Sequence, residues 1–141
     1  MPSADVVVLD THSWVWWAGD EPNLTRPGRR AIDQARRVVV PAPCPWEVAE
    51  LVARKRLRLD RDPLGWMQRA LAEDRVELAP LSPQIAVVAA GLGREGFHED
   101  PTDRLIYATA RSLDATPVRA DAGMKAFERA LPSRQARHVV W

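Results

Sequence analysis

Apolar residues along the chain fall into two kinds of run. Short continuous ones, Val6 to Leu9 and Val38 to Val40, are bounded by charged or turn residues, as strands buried on both faces of a parallel sheet are. Elsewhere apolar positions recur every three or four residues, which predicts helices. In order, the pattern predicts a strand over 6–9, a helix over 11–18, a loop over 19–27 and a helix over 28–37. A second strand, 38–41, is closed by prolines, which cannot continue a ladder. A helix over 46–56 follows, and another runs from Asp62-Pro63 to about Asp74, because proline suits the first helical position. A strand over 76–79, a helix over 83–92, a loop over 94–101 and a helix from Asp100-Pro101 through Ser112 come next. A strand over 116–120, a helix over 123–131 and a terminal strand in "RHVVW" complete the reading.

Strands alternating with helices predict an α/β fold around a parallel sheet with right-handed crossovers. The 141 residues suit one domain spanning 1–141, with no internal repeat, and are enough to bury about two-thirds of the unfolded surface. The longest apolar runs fall far short of the roughly 18 residues that cross a bilayer. No basic flank precedes the first of them, so neither a membrane span nor a signal peptide is expected. One cysteine, Cys44, rules out an internal disulfide framework and fits a cytoplasmic location. One cysteine and three scattered histidines give no zinc-ligand spacing. The net charge of +1 leaves contact with polyanions to local patches.

Four acids stand where such a sheet binds ligands, outside the carboxyl ends of its strands. Asp10 directly follows the first strand, and Asp121 the late one in "PVRAD". Glu47 lies in the early turns of the helix after the second strand, and Asp103 in the first turn of the helix opened by Asp100-Pro101. Asp10 and Asp121 also read as N-caps of the helices that follow them. Asp100, three residues before Asp103, reads as a cap. Glu47 shares its helix side with Leu51, and Asp103 lies beside Ile106 and Ala110, so both border buried stripes. Glu50 and Arg54 have the spacing of a solvated ion pair. Acids gathered at a core's rim repel one another and raise each other's pKa. A hard divalent cation, Mg²⁺ or Mn²⁺, removes the conflict and can align water against a phosphodiester.

These stretches resemble the PIN-domain ribonucleases, and among them the VapC-type toxins of prokaryotic toxin–antitoxin pairs. The matching segments are "VVVLDTHSWVWW" around Asp10, "CPWEVAELVARKRL" around Glu47, "HEDPTDRLIYATA" around Asp103 and "VRADAGMKAF" around Asp121. Together they thread nearly the whole chain in the family's order, the third being the most specific. The resemblance implies a three-layer sandwich, its central, mainly parallel, twisted sheet flanked by helices. It also implies Mg²⁺-dependent (or Mn²⁺-dependent) cleavage of single-stranded RNA regions, with Asp10, Glu47, Asp103 and Asp121 as the acidic site and Asp10 and Asp103 as direct metal ligands. A VapB-type antitoxin and an RNA substrate are the implied partners. One position departs from the pattern: Arg119 stands where the family often has Thr or Ser. It is a candidate phosphate contact, and it keeps open the alternative of a catalytically silent member that only binds RNA or a protein.

The basic run Arg54, Lys55, Arg56, Arg58, Arg61 reads either as a solvated face or as a track for the RNA backbone. Trp14, Trp16 and Trp17 are expected in core or interface packing. With Trp66, this surface is a candidate for homodimer or antitoxin contact. His12 and His98 are expected to be surface or hydrogen-bonding residues. Phosphotransferases that use an Asp nucleophile after the first strand need a second Asp two residues on, where this chain has His12. A phospho-receiver needs paired acids there and a lysine closing a late strand, whereas Lys125 sits on a predicted helix. No glycine-rich phosphate loop is present.

Overall fold

A computed structural model describes residues 3–97, 100–119 and 140. The strands are β1 (Ser3–Leu9), β2 (Arg37–Pro41), β3 (Val76–Ala79) and β4 (Ala115–Val118). The helices are α1 (Thr11–Ala18), α2 (Arg26–Gln34), α3 (Pro43–Ala53), α4 (Pro63–Leu71), α5 (Pro83–Gly91) and α6 (Pro101–Ser112), with a 3₁₀ turn at Leu92–Glu95. All sheet pairings are parallel and the strand order is β3-β2-β1-β4. Helices flank the sheet in the three-layer α/β arrangement expected. Among the described residues, no helix is long and apolar enough to cross a membrane.

The valine runs behave as the pattern predicted. Val7, Val8 and Leu9 of β1 and Val38, Val39 and Val40 of β2 are all buried, with β1 and β2 paired side by side. Strand β3 is half-covered. On the other side of β1, β4 is buried along its whole length and meets Val140 in a parallel bridge at Val118. Apart from Val140, the predicted last helix and terminal strand lie outside the described residues.

Three helices depart from the sequence pattern at their ends for local reasons. Helix α3 begins at Pro43 rather than Trp46, because the first turn of a helix has no use for its N–H groups and therefore tolerates Pro43 and Pro45. Helix α2 starts earlier, at Arg26, because Thr25 caps it: its Oγ1 accepts from Gly28 N at 3.1 Å, and Pro27 occupies the first turn. It also ends earlier, since Arg37 pairs with Val6 as the first residue of β2. Arg75, at φ 71°, seals that end by donating to the carbonyls of Ile32 and Ala35 at 3.1 and 2.6 Å. Helix α4 accordingly stops at Leu71, ahead of the reversal into β3.

The strand order places a topological switch beside β1. The chain moves from β1 outward through β2 to β3, then returns to the opposite side for β4. The crevice at the carboxyl ends of β1 and β4 is where a doubly wound sheet accepts ligands. Asp10 follows β1 there and Arg119 follows β4, with Asp10 N donating to Val118 O at 3.1 Å.

Candidate functional site

Asp10 serves two purposes at once. Its Oδ1 accepts from Ser13 N at 2.8 Å, capping α1. Its other oxygen, Oδ2, stands 3.7 Å from Arg119 Nε. The residue is only 6% exposed. Burial raises its carboxyl above the ordinary value, opposed by the hydrogen bonds from Ser13 and the positive charge of Arg119.

Asp103 reaches the same place from α6. Asp100 is the N-cap of that helix, accepting from Asp103 N at 2.9 Å, as the sequence spacing suggested. Proline at position 101 fixes the first turn. This holds Asp103 on the rim, where its Oδ1 lies 2.6 Å from Arg119 Nη1. Its side chain is 15% exposed, against 7% for Arg119. Two carboxylates from separate segments thus converge on one guanidinium.

Glu47, half-buried on α3, lines the same cleft of about 1040 Å³ as Asp10, Asp103 and Arg119. Cys44, one turn before Glu47, records the convergence of charge. Burial drives its thiol far above the usual range, and the negative charges of Asp10, Glu47 and Asp103 push the same way. Asp121 and His98 lie outside the described residues. Among the described residues, no group of three or more carboxylate, imidazole or thiol side chains is drawn together closely enough to enclose a metal ion. Asp10 and Asp103 meet across Arg119 instead.

Arg54 and Arg56 both line the cleft. Arg54 is exposed and pairs with Glu50 at 3.2 Å, one turn away. Arg119, read from sequence as a phosphate contact, also lines the cleft but faces the two acids. The tryptophans of α1 part company. Trp14 is fully buried against Trp66 in an edge-on contact at 5.0 Å. Trp17 donates to Asp33 at 3.2 Å. Trp16 stacks obliquely on His12 at 5.6 Å, and both line the acidic cleft.

Trp46 was not singled out from the sequence. It is 62% exposed at the cleft, next to Glu47. The signal lay in helical spacing: Trp46, Glu50 and Arg54 stand four residues apart and share one side of α3, beside the Glu47–Leu51 row.

Residues 7–130 match the family model of the PIN domain. The chain is 38% identical over 104 residues to ribonuclease VapC22 of Mycobacterium tuberculosis, covering 74% of this chain and 78% of that protein. Its fold is similar to a chain of VapBC2 from Rickettsia felis bound to promoter DNA (TM-score 0.64, 16% identity, covering 86% of this chain and 92% of that one). It is also similar to a chain of VapBC-1 from nontypeable Haemophilus influenzae (TM-score 0.61, 16% identity, 89% and 94% covered). A chain of FitAcB from Neisseria gonorrhoeae gives a TM-score of 0.60 at 20% identity, with 96% of each chain covered.

Proposed function

The chain belongs to the PIN-domain family, and from that premise we propose that it is a divalent-metal-dependent endoribonuclease of the VapC type. In this reading it cleaves single-stranded regions of cellular RNA in the cytoplasm, and a cognate VapB-type antitoxin inhibits it. The observation that carries the reading is the meeting of Asp10 Oδ2 and Asp103 Oδ1 around a single cation, the Arg119 guanidinium. A pair of rim carboxylates that gathers around one positive charge has the donor set a hard ion requires.

Asp10 and Asp103 would hold Mg²⁺ or Mn²⁺, with Glu47 and Asp121 completing the acidic set. The bound ion supplies Lewis-acid activation of water and charge neutralisation at the scissile phosphate. Glu47, which lines the same cleft, would orient the attacking water by accepting its hydrogen bond. Asp100 and Ser13 position the acids: Asp100 by setting the first turn of α6, the Ser13 N–H by turning Asp10 Oδ2 toward the cleft. Arg54 and Arg56 stand at the same cleft, where guanidinium groups can pair with the phosphate backbone of RNA. The antitoxin and a second copy of the chain are the protein partners of this reading. The similar folds found in VapBC and FitAB assemblies support the first.

The test is cleavage of cellular RNA with Mg²⁺ or Mn²⁺ by the wild type, Asp10→Asn and Asp103→Asn. Loss in both variants is expected; equal rates in all three would end the proposal. One observation favours a second reading, a domain that binds without cleaving: Arg119 fills the space between the two acids. RNA retained on the wild type, with no metal-dependent products, would select it.

A further inference from the structure

We propose that Arg119 is a resident counter-ion of the Asp10–Asp103 pair, and that a divalent ion reaches those carboxylates only by displacing its guanidinium. The inference rests on the metal-site reading above and deepens it.

Asp10 Oδ1 already accepts the Ser13 N–H at 2.8 Å, which leaves Oδ2 the less engaged oxygen. The remaining oxygen, Oδ2, is the atom facing Arg119 Nε at 3.7 Å. Asp103 presents Oδ1 to Nη1 of the same guanidinium at 2.6 Å. Asp10 Oδ2 and Asp103 Oδ1 are the oxygens that would hold a hard divalent ion. The guanidinium already faces both oxygens, and like charge would oppose a cation's sharing them with it. Cation and guanidinium therefore compete for the same two atoms.

The competition takes place away from water, since the three side chains are 15% exposed or less. The Arg119 backbone is pinned, its N–H donating to Val140 O at 2.7 Å, so release is a side-chain rotation. The adjoining cleft gives the guanidinium room to turn, and Glu47 and Glu50 line it as alternative anionic neighbours. Where no ion is bound, Arg119 would offset the mutual repulsion of the two acids. The consequence is a raised metal requirement: apparent affinity falls by the fraction of molecules whose guanidinium has left the pair.

The test is calorimetric titration of Mn²⁺ into metal-stripped, full-length wild type and Arg119→Gln, with circular dichroism confirming that both are folded. If the acids are free in at most about a tenth of wild-type molecules, Arg119→Gln should bind Mn²⁺ roughly tenfold more tightly or better. Equal or weaker binding by the variant overturns the counter-ion role while leaving the metal reading intact. Binding by neither protein overturns both. Should Arg119→Gln fail to fold, the wild type alone decides the matter by NMR of the arginine Nε–H groups during Mg²⁺ titration. A saturable shift of the Arg119 signal supports displacement; an unmoved signal refutes it.

Discussion

Replacing Asp10 separates its two duties, because asparagine keeps one and alanine keeps neither. The cap needs only an acceptor where Oδ1 now receives Ser13 N at 2.8 Å, and an asparagine carbonyl oxygen supplies it. Alanine removes it, and the loss of an N-cap costs about 1 kcal/mol, within a range of about 0.5–2. For a domain of this size that is roughly 3–5 °C in melting temperature. The charge acts with the opposite sign. Burial holds the folded Asp10 carboxyl above its unfolded value. Its favourable contribution is therefore complete below the unfolded pKa of about 3.9 and is lost as pH rises through the folded value. Above the folded value, without metal, the ionised Asp10 opposes folding relative to a neutral isostere. Asp10→Asn should melt at or above the wild type at pH 7, and the difference should shrink as pH falls toward 4. Asp10→Ala should melt below Asp10→Asn throughout, and neither variant should cleave RNA. Thermal melts in EDTA at the two pH values, beside a cleavage assay, make the comparison. Coincident melting of the two variants would refute the capping account. A destabilised Asp10→Asn at pH 7 would refute the charge account, and full cleavage by Asp10→Asn would remove Asp10 from the active site.

Trp46→Ala should leave the melting temperature almost unchanged, since the ring is 62% exposed and surface changes usually stay within about 0.5 kcal/mol. It should weaken single-stranded RNA binding about fivefold or more if the ring stacks a base, an interaction worth about 1–3 kcal/mol; unchanged binding would show that it does not. Arg54→Gln with Arg56→Gln should lower RNA affinity and flatten its salt dependence by about one log–log unit for each phosphate no longer neutralised, while the exposed Glu50–Arg54 pair contributes little to stability. An unaltered salt slope would identify the basic run as a solvated face. Trp14→Ala should cost about 3–5 kcal/mol in chemical denaturation, because the indole is fully buried against Trp66.

Much of this architecture was legible where one signal dominated. The run Val6–Leu9 located β1 and its end, though the strand begins at Ser3, and α1 began and ended where the sequence pattern placed it, at Thr11 and Ala18. Asp100-Pro101 located the start of α6 and with it Asp103, because cap and proline act on the same turn. Legibility failed where one residue type had two meanings. Pro43 and Pro45 read as the end of a strand when they also formed the first turn of a helix. The three tryptophans of α1 are alike in composition, yet core, helix and cleft each claim one, and only tertiary packing decides which. Arg119 was visible as a departure from a familiar pattern. Its partners were not, because the ion pairs that hold it span 109 and 16 residues of chain.

The seat of Asp10 at the end of the central strand has a dynamic corollary. Its amide is tied across the sheet to Val118, beside the buried residues of β1, so it should exchange hydrogen as slowly as the whole molecule unfolds. Asp103 and Glu47 ride on helices, which can tilt or fray by separate local openings. On this account the cleft has one fixed wall and two adjustable ones, and fitting differently shaped RNA substrates would fall to α3 and α6.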